Sequence, residues 1–261
     1  MTRDRSFKDH FSGHAPQYAA HRPSYPAALF EFLARCCDRR DHAWDAGTGN
    51  GQAAVALAEY FARVTATDAS ARQIEAARAH PGVAYRVAPA EASGLAAGSA
   101  DLVTVAQALH WFDFERFFAE ADRVLAPGGV LAAWSYGFCA VDPACDELIA
   151  GLYTATAEHW PPERRLVENG YRDIVMPFSA VAAPAFDMKA AWGVDAMLGY
   201  LRTWSGCRRY LEARGVDPVA AIERRLRTAW GPGARDVRWP LALEVRRRQA
   251  AARESAAGAR G

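Results

Sequence analysis

From His42 to Tyr136 the chain alternates between two hydrophobic patterns. Short apolar or β-branched runs read as strands: HAWDA (42–46), RVTATD (63–68), VAYRVAP (83–89), ADLVTVAQ (100–107) and GVLAAWSY (129–136). Between them lie segments whose apolar residues recur near every 3.6 positions: NGQAAVALAEYFA (50–62), SARQIEAARAH (70–80) and DFERFFAEADRVLA (113–126). Ser70 stands where an N-cap belongs, and Pro127-Gly128-Gly129 ends the third helix. An earlier helix is expected from about 27 to 37. Strands alternating with helices predict βαβ units and a parallel sheet with helices on both faces.

Outside this stretch the pattern changes. Residues 1–26 carry prolines at 16, 23 and 26 among histidines and aromatics, which predicts a short helix and then an extended segment. After Gly137 come helical runs at 142–160, 164–170, 194–206, 208–215 and 217–231, a strand-like run at 178–192 and a last strand at 236–248. The expected organisation is an N-terminal lid segment (1–26), an α/β domain (27–248) with helical cap insertions at about 141–170 and 193–232, and a flexible tail (249–261). Arg246, Arg247 and Arg248 fall on a last strand read as an edge, as a solvated guard against aggregation.

Composition narrows the class. The chain has 261 residues, 51% hydrophobic, enough for one large α/β domain. Its 31 basic and 30 acidic residues leave a net charge of +1, which gives no footprint for nucleic acid or an anionic membrane. Neither a secretory h-region nor a membrane-spanning run is visible. The five cysteines show no C-x-x-C pair, which suits a reducing compartment, so a cytoplasmic protein is expected. His10 and His14 have a ligand-like spacing, but no cysteine supports it and Pro16 breaks the helical face, so no metal is expected.

The candidate chemistry begins at the end of the first strand. Asp45 is followed by Gly47, Gly49 and Gly51, and Asp68 ends the second strand. Three spaced glycines turning out of a strand into a helix allow a ligand to lie against bare backbone. Asp68 is placed to accept two ribose hydroxyls. The dinucleotide fingerprint would need glycine at 52, where Gln52 stands. Asp45 would repel a pyrophosphate but suits a cationic amino group. A ligand with a ribose, an ammonium and no phosphate fits, and S-adenosylmethionine is one.

The pattern WDAGTGNG, followed by TATDAS and APAEASGLAAGSADLVTVAQALHWFD, resembles the class I S-adenosylmethionine-dependent methyltransferases, in particular the small-molecule type 11 group. The resemblance covers roughly residues 7–136, with a weaker echo in GYLRTWSGCRRYLEARGVDP. It implies a Rossmann-like doubly wound sheet of seven strands in the order 3-2-1-4-5-7-6, the last antiparallel. It implies S-adenosyl-L-methionine as cofactor, with Asp68 on the ribose, Ala69 and Ala90 beside the adenine, and Gln107 and Ala108 bordering the methionine part. Pro89 stands where the family often has an acidic residue, which leaves the adenine amino group to Glu91 or to no side chain.

QALHWF follows the fourth strand and so lies at the same sheet edge as the glycines. His110 is the titratable candidate on the acceptor side, as a base, as a contact, or as a helix-entry histidine satisfied by backbone. Trp111 and Phe112 are substrate-facing or cap-packing aromatics. YAAHRPSYP resembles the family's N-terminal lid, which places Tyr18 and Arg22 over the pocket; the plainer reading is a packed tyrosine and a solvated charge. Trp134, Trp160, Trp192 and Trp204 are either walls of an aromatic acceptor pocket or core residues. The expected partner is a small-molecule acceptor, and the expected state a monomer or homodimer. The alternatives are a cofactor-binding protein without catalysis and a nicotinamide-dependent oxidoreductase.

Overall fold

In the computed structural model, residues 23–249 are described. Helix α1 (Ala27–Cys36) leads into β1 (His42–Ala46), α2 (Gln52–Leu57), β2 (Arg63–Asp68), α3 (Ala71–Glu75) and β3 (Val83–Val87). Then follow β4 (Ala100–Ala106), a 3-10 turn (Leu109–Trp111), α4 (Phe114–Val124) and β5 (Leu125–Tyr136). The strand β5 is longer than expected, because the chain passes from α4 into it at Leu125 and carries Pro127-Gly128-Gly129 within it. Helices α2 and α3 are shorter than their apolar spacing predicts.

Strands β1 to β5 are parallel, in the order β3-β2-β1-β4-β5. The last strand, β8 (Arg235–Arg247), lies antiparallel against β5, with β6 (Ser179–Ala180) and β7 (Phe186–Trp192) on its other side. The expected order therefore holds, with one strand-like run divided in two around Pro184. Pro240 pairs with Asp187 of β7, while β5 pairs from Leu241 onward, so its missing N–H disturbs no bond to β5.

Because β8 is internal, the edge reading of its arginines is corrected. Arg247 donates from Nη2 to the Cys36 carbonyl at 2.6 Å and from Nη1 to the Gly128 carbonyl at 3.1 Å. Arg248 pairs with Asp122 at 2.6 Å, and Arg246 with Glu244 at 2.8 Å. Arg247 and Arg248 tie the end of the strand to its surroundings, while the Arg246–Glu244 pair stays within β8.

Each sheet face carries its own core. Leu29, Leu33, Ala54 and Leu57 from α1 and α2 pack with Ala43, Leu102 and Trp134 on one side. Phe117, Ala121 and Val124 from α4 pack with Trp44, Val103 and Leu131 on the other. A third core holds α5 (Pro143–Ala155), α7 (Val194–Arg202), α8 (Ser205–Arg214) and α9 (Ala220–Trp230) against the β7–β8 end of the sheet, around Met188, Met197, Trp230 and Trp239. The short helix α6 (Arg164–Glu168) closes over β5 and the Leu109–Trp111 turn through Val167. Among the described residues, no helix is long and apolar enough to cross a membrane.

Candidate active site

The turn out of β1 is built from left-handed backbone: φ is +68° at Gly47, +55° at Gly49 and +81° at Gly51. The three glycines are needed for different reasons. A Cβ on Gly47 would come within 2.8 Å of Ala108 Cβ and 2.9 Å of the Phe112 ring, and one on Gly51 would fall inside the Tyr85 phenol. These two are packing glycines. At Gly49 the nearest atom to such a Cβ is Gln73 Oε1, at 4.0 Å. Bare backbone therefore faces open space at the centre of the loop.

Asp68 sits at the rim of that space. Its Oδ2 accepts from the Gly49 N–H and its Oδ1 from the Ser70 N–H, both at 2.9 Å. One carboxylate thus fixes the glycine turn and the start of α3, whose N-cap is Ser70. A carboxylate oxygen can accept more than one hydrogen bond, so a diol could also donate there. Ala69 follows, half-buried, and buried Ala90 lies in the loop after β3. Glu91 accepts from the Asp113 N–H at 2.9 Å, which draws that loop against the start of α4.

Asp45 is fully buried. Thr48 donates to its Oδ2 and Thr104 to its Oδ1, each at 2.7 Å. Burial pushes its carboxyl up to about 6, against the pull of the two hydroxyls. Thr104 is the one hydroxyl residue of an otherwise apolar β4 after Asp101, a signal the sequence offered.

At the end of β4, Gln107 adopts φ +56°, a conformation L residues seldom take. Its side chain bridges to β5: Nε2 donates to the Tyr136 carbonyl at 3.1 Å and Oε1 accepts from the Tyr136 N–H at 2.8 Å. The turn beyond brings Ala108 against Gly47, so the loops after β1, β2 and β4 converge at one sheet edge. An open glycine backbone, a rim carboxylate for a diol and a second carboxylate beneath it suit S-adenosylmethionine.

Comparison with known proteins agrees. Residues 44–133 match the family model described as a methyltransferase domain. A Dictyostelium discoideum protein named as a methyltransferase is 34% identical over 229 residues, which cover 86% of this chain and 87% of that one. The chain belongs to the class I S-adenosylmethionine-dependent methyltransferases. A solved structure from Anaeromyxobacter dehalogenans, described as a type II methyltransferase, superposes with a TM-score of 0.83 at 45% identity, covering 88% of this chain and 99% of that one. A Saccharomyces cerevisiae protein named as an S-adenosylmethionine-dependent methyltransferase is 32% identical over 124 residues, 44% of this chain and 43% of its own.

In the turn after β4 of the methyltransferase, His110 is 6% exposed. Its Nδ1 lies 2.9 Å from the Tyr171 hydroxyl, and Trp111 packs on its ring at 4.6 Å. Burial, and then the charge of Arg164, lower its pKa to about 3, so the ring is neutral at physiological pH. Tyr171 is itself buried with φ +62°, a strained position beside the turn. Its partnership with His110 spans 61 residues and left no trace in the local pattern. Arg164 belongs to the same corner and was also not foreseen.

The tryptophans divide. Trp134 is fully buried between α1 and the sheet, edge-on to Tyr25 at 5.5 Å and Phe30 at 6.1 Å, and is corrected from pocket wall to core. Trp192 packs on Trp239 at 4.9 Å inside the cap. Trp204 is 6% exposed within the third core, its ring centroid 5.6 Å from that of Trp160 and 5.9 Å from that of Phe138. Tyr18 and Arg22 lie outside the described residues, as do His10, His14 and His21. The described chain starts at Pro23, whose carbonyl accepts from Gln52 Nε2 at 3.1 Å, beside the glycine loop.

Proposed function

We propose that this methyltransferase acts on a small organic acceptor held between the glycine-loop edge of the sheet and the cap. The observation that carries the reading is the corner where His110, Tyr171 and Trp111 meet at the turn after β4, with Arg164 linking it to Phe138. The cofactor supplies a methyl group on a positively charged sulfur. Asp68 holds the ribose, Ala69 and Ala90 flank the adenine with Glu91 at its border, and Gln107 and Ala108 border the methionine part. Asp45, ionised, faces the ammonium end. The protein's own task is to orient the acceptor at near-contact distance and exclude water, effects that together account for about 7–11 kcal/mol in well-oriented reactions.

His110 serves the acceptor as a hydrogen-bond donor in this reading. In this reading the Tyr171 phenol donates to Nδ1, which puts the ring proton on Nε2. A ring this hard to protonate is a weak base. The rate should therefore show no histidine ionisation between pH 5 and 8, and a pKa near 6.5 assigned to His110 by NMR would contradict this.

Residues 1–26 are proposed as a lid, with Tyr18 and Arg22 facing the pocket; the hydrogen bond from Gln52 to the Pro23 carbonyl supports this. Hydrogen exchange at 18–25 should slow on adding S-adenosylmethionine, and if only the glycine loop responds, both leave the site. The five cysteines are buried and free, which supports a cytoplasmic setting. The working state is proposed as monomer or homodimer. A thermal-shift series with S-adenosylmethionine, its demethylated product and NAD, followed by methyl release over an acceptor panel, tests the reading. Stabilisation by NAD alone would favour an oxidoreductase.

A further inference from the structure

Arg164 opens α6, and its guanidinium is stacked rather than solvated. Its Cζ lies 4.9 Å from the Trp160 ring centroid and 5.5 Å from that of Phe138. The side chain is 16% exposed, and Nε is buried without a hydrogen-bond partner. Its ion-pair contact among the described residues is Glu168 Oε1 at 3.5 Å, too long for a good hydrogen bond, and that oxygen already accepts from the Tyr153 hydroxyl. A largely buried cation held by a long ion pair to Glu168 and an interaction with Tyr153 is costly, and its charge is felt at His110. Phe138 follows Tyr136 at the end of β5, 38% exposed. Val167 of the same short helix packs in one core with Leu109 and Tyr171.

With two aromatic rings against the guanidinium and Glu168 as its long ion-pair contact, the remaining N–H donors suit an in-plane partner. A carboxylate matches such donors with two parallel N–H···O bonds, and a flat body attached to it would continue along Phe138 and Trp111. We infer that Arg164 anchors the methyl acceptor, and that the acceptor carries a carboxylate on an aromatic or unsaturated body. This rests on the small-molecule reading above. It adds a specificity determinant in a helix far from the cofactor motifs.

The test separates the two. Cinnamate and benzoate are titrated, beside cinnamamide and benzamide, into the protein saturated with S-adenosylhomocysteine, followed by thermal shift and calorimetry. At least one acid should bind, and its amide should bind about 30-fold more weakly or worse. Arg164→Gln should lose the acid to the same extent and keep its affinity for S-adenosylhomocysteine; Arg164→Lys should recover only part, since it keeps the charge and loses the fork. Amides binding as well as acids, neither acid binding, or Arg164→Gln leaving acid affinity intact would overturn the assignment. Loss of S-adenosylhomocysteine binding by the wild type would instead strike the methyltransferase site itself. Should Arg164→Gln fold poorly, the acid-against-amide comparison on the wild type decides alone.

Discussion

Asp45 is a carboxylate whose burial works against the fold at neutral pH. With its folded pKa raised from 3.8 to about 6, the native state holds a proton that the unfolded chain has released over that window. Its contribution to stability is therefore full below pH 3.8 and is lost as pH rises through 6, a change of about 3 kcal/mol. His110 runs the other way: its folded pKa of about 3 lies below the unfolded value, so its contribution is lost as pH falls below 6.5. The two oppose each other in the wild type. Asp45→Asn should remove one of them, so that urea unfolding shows the variant gaining about 2–2.5 kcal/mol relative to wild type between pH 4 and pH 7. A constant difference across that range would mean Asp45 titrates normally. The glycines make a second residue-scale prediction. Gly49→Val should stay folded, at a strain cost of about 1–3 kcal/mol, yet lose the cofactor. Gly47→Val should lose stability further, because its side chain meets Ala108 and Phe112. Melting temperatures and cofactor titrations of the pair distinguish ligand space from packing.

At the scale of elements, periodicity located the strands of the parallel half because each is a short buried run between turn residues. It overestimated α2 and α3, whose alanine-rich ends fit a helix equally well whether or not anything covers them. Periodicity alone left β8 at an edge, because an alternating strand reads the same there as between neighbours, while the strand order implied by the family resemblance placed it inside the sheet. The arginines at its end carry the consequence. Arg247 satisfies two backbone carbonyls, at Cys36 and Gly128, so Arg247→Ala should cost about 1–3 kcal/mol in urea unfolding. Arg248 makes an exposed pair, and Arg248→Ala should cost no more than about 1 kcal/mol. Equal losses would mean that the carbonyl contacts carry no special weight.

Across the whole molecule, the cofactor half was legible because its parts are short motifs at the ends of successive strands, which parallel topology must bring to one edge. Asp45, Gly47, Gly49, Gly51 and Asp68 lie within one βαβ unit, and the fold delivers them together. The corner around His110 was not legible. Arg164 and Tyr171 reach His110 from an insertion with no local pattern that marks its destination, and Trp134 and Trp204 look alike in sequence while one fills the sheet core and the other the cap. Such long-range placement is a property of packing. The central claim is the cofactor site, and calorimetric titration of S-adenosylmethionine into wild type and Asp68→Ala tests it most directly. The variant loses charge-assisted bonds worth about 1.5–3 kcal/mol each, so affinity should fall by about 100-fold or more with the fold retained. Equal affinity in the two proteins would contradict the account.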